Sequence, residues 1–191
     1  SRWMRHEIPF TLEGQATFFK SESEPEGEQR RIAGIISTEN RDKQQEIVIQ
    51  KGLDFSYFLS DGWFNDNHKQ GTADAVGYPT AVRGYSRGQT LPNGTIAKSN
   101  CTWAEGYLIP GDGTTEADRI WKMGLGLAKS GGRRSLGFSI EGSVRKRIGP
   151  DRRIIASAFV KNCAITNCPV NGDTLVEVLA KSLQAVENED D

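Results

Sequence analysis

Cysteine and histidine are scarce in this chain of 191 residues, with three of the first and two of the second. Cys101, Cys163 and Cys168 are odd in number and form no Cys-x-x-Cys pair, which argues against a disulfide framework. A structural zinc centre would have to gather these thiols and His68 from three separate segments, far from the usual ligand spacings, so no metal or other cofactor is expected. No run approaches the roughly 20 successive apolar residues of a membrane-crossing helix. Nor does an apolar stretch follow the basic start Ser1-Arg2-Trp3-Met4-Arg5, so no secretory leader is expected, and the sequons at Asn93 and Asn100 carry no weight without one. Neither sign of charge is in excess: 24 Lys and Arg face 25 Asp and Glu, a net charge of -1, which gives no global reason to expect nucleic acid or a membrane surface as partner. What is present is 36 % hydrophobic residues, enough for one domain over residues 1–191, with its core over about 7–186.

The apolar pattern is mostly that of strands. Phe10, Leu12, Gly14, Ala16 and Phe18 alternate with largely polar neighbours, and short β runs follow at Arg31–Ser37 and Glu46–Gln50. Between them, Ser21–Arg31 is charged, holds Pro25 and Gly27, and reads as an exposed loop. Further strands are expected over Val76–Val82 and Lys98–Ile109, with the glycine-rich Arg83–Asn93 as a loop. Thr115 with Asp118 makes a variant capping box ahead of a helix over Glu116–Ala128, ended by Gly131-Gly132; Gly124 and Gly126 inside it suggest close packing. Ser135–Arg147 and Arg152–Thr166 read as two long strands joined by a Gly149-Pro150-Asp151 turn. A last helix is expected after Asp173 or Thr174, with Leu175, Val178, Leu179 and Leu183 on one face, and 187–191 form an acidic tail. Many strands with two helices and no βαβ alternation predict an α+β domain, built on a mostly antiparallel sheet or barrel with a few flanking helices.

Three places could carry chemistry. Gly124–Gly131 superficially resembles a phosphate loop, but it lies inside and at the C-terminal end of a helix, where the dipole repels phosphate. His68 lies in the polar stretch Asn65-Asp66-Asn67-His68 and is the plausible general base, since His6 is too near the terminus for firm placement. Nucleophile candidates lie in Ser135-Leu136-Gly137-Phe138-Ser139-Ile140-Glu141-Gly142-Ser143-Val144. Period 2 places Leu136, Phe138, Ile140 and Gly142 on one face, and Ser135, Gly137, Ser139 and Glu141 on the other. There is no Gly-x-Ser-x-Gly elbow.

Taken in order, three blocks resemble those of the prohead proteases of tailed bacteriophages, a family that shares its fold with the herpesvirus assemblins. Asn67-His68 followed by Val76-Gly77-Tyr78-Pro79 is similar to the family's histidine block. Gly137–Val144 is similar to its serine block, Gly-x-Ser-Ile-Gly-(Gly/Phe)-x-Val. Val160–Asn171, ending in Pro169-Val170-Asn171, resembles its closing strand, and Gly34–Asp42 its opening strand and acidic turn. The likeness runs from about Ile32 to Asn171. It implies a herpesvirus protease-like fold and a serine endopeptidase, in which Ser139 attacks the scissile carbonyl and His68 carries the proton. Amides near Ile140 and Glu141 would form the oxyanion hole, helped by Arg133 or Arg134. Ser135-Leu136-Gly137-Phe138 fits a Ser-x-Gly-Phe version of the block, so Ser135 is the alternative nucleophile. Many members place a Glu where register puts Asn162, which makes Asn162 the third residue, with Asp66, Asp74 and Glu141 as alternatives.

The resemblance implies action inside the immature prohead, in the host cytoplasm, during capsid assembly. The substrates would be scaffolding protein, the N-terminal segments of the major capsid protein and the protease itself, with self-association into a homo-oligomer. The alternative is a non-catalytic capsid or scaffold assembly protein of the same fold. A cysteine hydrolase using Cys163 or Cys101 with His68 is a third reading.

Overall fold

The computed structural model describes residues 8–15, 17–20, 30–42, 45–131 and 134–167, the first two segments as backbone. Ten strands and two α-helices follow one another along them: β1 (Ile8–Gln15), β2 (Thr17–Lys20), β3 (Arg30–Thr38), β4 (Ile47–Val48), β5 (Leu53–Asp54), α1 (Ser56–Asp61), β6 (Phe64–Asp66), β7 (Ala75–Tyr85), β8 (Cys101–Leu108), α2 (Glu116–Lys129), β9 (Gly137–Ile148) and β10 (Ile154–Thr166). The strands form one sheet in the order β1-β9-β10-β6-β7-β8-β3-β2, with β4 and β5 also paired to β10. β1 and β2 are separated by residue 16 alone yet pair with opposite ends of that order, so the sheet curls back on itself as part of a barrel. The α+β class expected from the sequence is therefore observed. The expected last helix and acidic tail lie outside the described residues, as does most of the Ser21–Arg31 loop, whose last two residues belong to β3.

Six strand pairings are antiparallel, and the three parallel ones all involve β10. Residues 47–66 climb β10 in three short steps, pairing Ile47 with Ile154, Leu53 with Ala158, and Phe64 with Cys163. Glycine makes this approach feasible at two points. A Cβ on Gly52 would sit 1.9 Å from the Ala156 carbonyl oxygen, and one on Gly62 2.3 Å from that of Lys161. The climb ends at Asp66, which delivers His68 to the C-terminal end of β10.

The climbing segment also builds the core. Phe58 on α1 meets Phe64 edge-on at 5.5 Å, and Phe64 meets Phe138 of β9 at 5.3 Å, all three fully buried. Ala117, Ile120 and Trp121 of α2 join the same cluster. The expected capping box is present: Thr115 Oγ1 accepts from the Asp118 amide at 3.2 Å, and Asp118 Oδ2 accepts from the Thr115 amide at 3.1 Å. The close packing expected at Gly126 is not found, because its missing Cβ would face open space. No helix among the described residues is long and apolar enough to cross a membrane.

Candidate functional site

β6 ends in a tight reversal in which Asn67 (φ 52°) and His68 (φ 66°) both adopt the left-handed conformation. Asn and His enter that region more readily than most residues, and it still costs about 1–3 kcal/mol per residue unless neighbours hold it. Here they do. The Asn67 amide donates to the Ile165 carbonyl, the Thr166 hydroxyl to Asn67 Oδ1 at 2.9 Å, the His68 amide to Asn65 Oδ1 at 3.0 Å, and the Lys69 amide to the Asp66 carbonyl.

The turn aims the imidazole at a carboxylate. His68 Nδ1 lies 2.6 Å from Glu141 Oε2. The other oxygen, Oε1, accepts from Asn65 Nδ2 at 2.8 Å and from Gln70 Nε2 at 3.0 Å. Burial works to raise the Glu141 carboxyl, and the hydrogen bonds from His68, Gln70 and Asn65 more than reverse it, leaving it below the usual carboxylate value. Glu141 is thus ionised near neutral pH. An ionised acceptor keeps the proton on Nδ1 and leaves the Nε2 lone pair as the base. The pair is partly open, the His68 side chain being 31 % exposed and that of Glu141 16 %.

The other residues singled out in the sequence fall around this pair in different ways. Asn162 is level with Glu141 in the β9–β10 register, so the two are cross-strand neighbours. Its Oδ1 accepts from the Trp63 amide at 3.0 Å, which commits that carbonyl to the backbone. Asp66 is 3.8 Å from Lys69 Nζ, and Asp74 Oδ2 accepts from the Gly71 amide, so the contacts of both lie elsewhere than His68. Ser139 is wholly buried, and its Oγ has no hydrogen-bond partner. Ile140 and Glu141 lie within β9, flanked by β1 and β10, where backbone amides serve the ladders. Ser135 is half-buried just ahead of β9, with its Oγ donating to the Leu136 carbonyl at 2.9 Å. Phe138 and Ile140 of β9 enter the core, so Ser139 and Glu141 share the opposite face, and Ser135 lies ahead of the strand. Gly137 is level with Thr166, whose hydroxyl holds Asn67, and this sets Ser135 and His68 at the same end of the sheet. Arg133 lies outside the described residues.

The sequence alone left Glu141 as one of several possible third residues. Reflection through the hairpin turn would set Lys161 opposite Glu141, and an irregularity between Val160 and Asn162 brings Asn162 there instead, so no sequence signal singled Glu141 out. The two described thiols offer no rival chemistry. Burial pushes Cys101 up to about 11 and Cys163 well above its ordinary value, so neither supplies a thiolate near neutral pH. One group of carboxylates, Asp66, Asp74 and Glu116, has oxygens within 4.8 Å of one another. Lys69 and Arg119 already counter two of the three.

A cleft of about 410 Å³ is lined by Trp63, Asn65, Lys69, Gln70, Ile109 and Asn162 among others. Two of these, Asn65 and Gln70, are the residues that hold Glu141. No known protein family, curated protein or solved structure matches the chain.

Proposed function

We propose that the chain is a serine endopeptidase of the prohead-protease kind, with a herpesvirus protease-like fold. His68 is its base, Glu141 the carboxylate that orients the base, and Ser135 its nucleophile. The observation that carries the reading is the 2.6 Å contact between His68 Nδ1 and Glu141 Oε2, with Asn65 and Gln70 fixing the second oxygen. It leaves Nε2 as the base, as general-base activation of a hydroxyl requires, and the Asn65 and Gln70 that hold the carboxylate also line a cleft. Ser135 is preferred to Ser139 because a nucleophile must reach a peptide carbonyl, and the Ser139 hydroxyl is enclosed on all sides.

In the reaction, Ser135 Oγ gives up its bond to the Leu136 carbonyl and attacks the scissile carbonyl carbon while its proton passes to Nε2. The tetrahedral oxyanion is held by backbone amides entering β9, that of Leu136 first. Collapse breaks the C–N bond, and the Nε2 proton leaves with the amine. Water, deprotonated by the same nitrogen, then hydrolyses the acyl ester and restores Ser135. Glu141 stays ionised throughout and stabilises the imidazolium. The substrates are scaffolding protein, N-terminal segments of capsid protein and the enzyme itself, inside an immature capsid, and the enzyme self-associates there.

Intact-mass analysis of the full chain over time, alone and mixed with scaffolding protein, tests this. Wild type and Ser139→Ala are expected to produce fragments; Ser135→Ala and His68→Ala are expected to stay whole. Loss of cleavage in Ser139→Ala alone would move the nucleophile back to Ser139. Absence of any cleavage by wild type would favour the non-catalytic assembly protein.

A further inference from the structure

Residues level in register across a sheet share a face and stand about 4.8 Å apart. Outward from Glu141, the register sets Asn162 beside it on β10, Trp63 next just ahead of β6, then Tyr78 on β7 and Tyr107 on β8. The row changes character along its length, from a carboxylate through a carboxamide to three aromatic rings. Trp63 is 44 % exposed and Tyr78 45 %, and the Tyr78 and Tyr107 rings lie 6.0 Å apart. Ile109, also exposed, lines the cleft together with Trp63.

Exposed apolar side chains concentrate here. Of the seven large ones among the described residues, Trp63, Tyr78 and Ile109 belong to this one strip, while Leu59, Ile96, Met123 and Ile148 sit on separate elements. A contiguous exposed apolar strip marks a docking place. Its occupant is indicated by continuity: Trp63 and Ile109 line the same cleft as Asn65 and Gln70, which hold the Glu141 carboxylate.

We infer that this row is the substrate track: an extended peptide lies across the strands on Trp63, Tyr78 and Tyr107, with bulky apolar side chains against the rings. The inference rests on the endopeptidase reading and adds to it a class of substrate. Trp63 is two strands and Tyr78 three strands from Glu141, about 10 and 14 Å. The scissile bond lies at Ser135, further from the rings than Glu141 is, so at about 3.4 Å per residue of extended chain the apolar preference falls more than four residues from the cleaved bond, on one side of it.

Digestion of a random dodecapeptide library by the full chain, with products read by mass spectrometry, tests the track. Wild type is expected to enrich Leu, Ile, Val, Phe or Met at one such position, by about tenfold or more in kcat/KM over Ser at that position. Trp63→Ser and Tyr78→Ser should abolish that ratio. Tyr78→Phe should keep it, as should Ile96→Ser, which removes an exposed apolar side chain on another loop. Cleavage by wild type without apolar enrichment, or with enrichment unchanged in Trp63→Ser and Tyr78→Ser, overturns the track and leaves the protease reading standing. No cleavage of any peptide by wild type overturns the protease reading, and the track with it.

Discussion

Among the described residues, the carboxylates of Asp118 and Glu141 each accept several hydrogen bonds and face a basic side chain, yet they are built for different ends. Asp118 is completely enclosed at the start of α2. It accepts from the amides of Gly111, Gly113 and Thr115, and from Arg30 Nη1 at 2.5 Å. Burial opposes its charge, and the Arg30, Thr115 and Gly113 bonds outweigh it, holding the carboxyl far below the usual range. Glu141 is held instead by the side chains of Asn65, Gln70 and a partly exposed histidine. Backbone amides and a permanently charged guanidinium fix a carboxylate in one state and tie a helix to a strand. Side-chain amides and an imidazole hold it in place while leaving its partner able to take up and release a proton. The first arrangement is an anchor, and the second has the parts of a catalytic site.

If that division is right, the two sites should separate activity from stability. The largest effect is expected from His68→Ala, which should lower kcat/KM for peptide cleavage on the order of ten-thousandfold while leaving the urea midpoint near that of wild type. Glu141→Gln keeps the shape but removes the charge behind the imidazole, and should lower kcat by about a hundredfold or more with a shifted pH profile. Equal urea midpoints for Asp118→Ala and wild type would break the comparison from the other side. Removing Asp118 strands Arg30 and three backbone donors, so its loss should cost about 3–5 kcal/mol in equilibrium unfolding.

A smaller effect separates the two serines. A buried hydroxyl without a partner costs about 1–3 kcal/mol. Ser139→Ala should therefore unfold at equal or higher urea than wild type, by up to about 1 kcal/mol, and keep its activity. A destabilised or inactive Ser139→Ala would show that its hydroxyl is in use.

The mildest test is acid. Asp118 and Glu141 both have folded-state values below the ordinary carboxylate value. Such groups add stability that is fully present above their unfolded value, about 4, and is lost as pH falls through the depressed folded value. Urea midpoints measured from pH 7 down to 2 should hold until the ordinary carboxylate range and then decline. The decline should be shallower in Asp118→Asn than in wild type, and slightly shallower in Glu141→Gln.

The legible parts of the fold are those with long periods and local signals. Strands β7 to β10 and helix α2 follow their alternation and the Thr115–Asp118 cap closely. The steps β4, β5 and β6 and the six-residue α1 were not legible as a unit, because they exist through pairing to β10 and packing around Phe58 and Phe64. At the site, His68 stood out as the internal histidine in a polar stretch. Alternation also set Ser139 and Glu141 on the face opposite Phe138 and Ile140, as observed. It could not reveal that this face is covered at Ser139 and open toward His68 at Glu141. Period 2 says which side a residue points to; what lies over that side is settled by distant segments, here the Asn65–Gln70 turn.

Covalent labelling reads directly which serine His68 activates. Full-length protein treated with a fluorophosphonate and digested for peptide mass mapping should carry one adduct, on Ser135. That adduct should be absent from His68→Ala and strongly slowed in Glu141→Gln. An adduct on Ser139, or labelling of Ser135 at an equal rate in His68→Ala, would contradict the assignment.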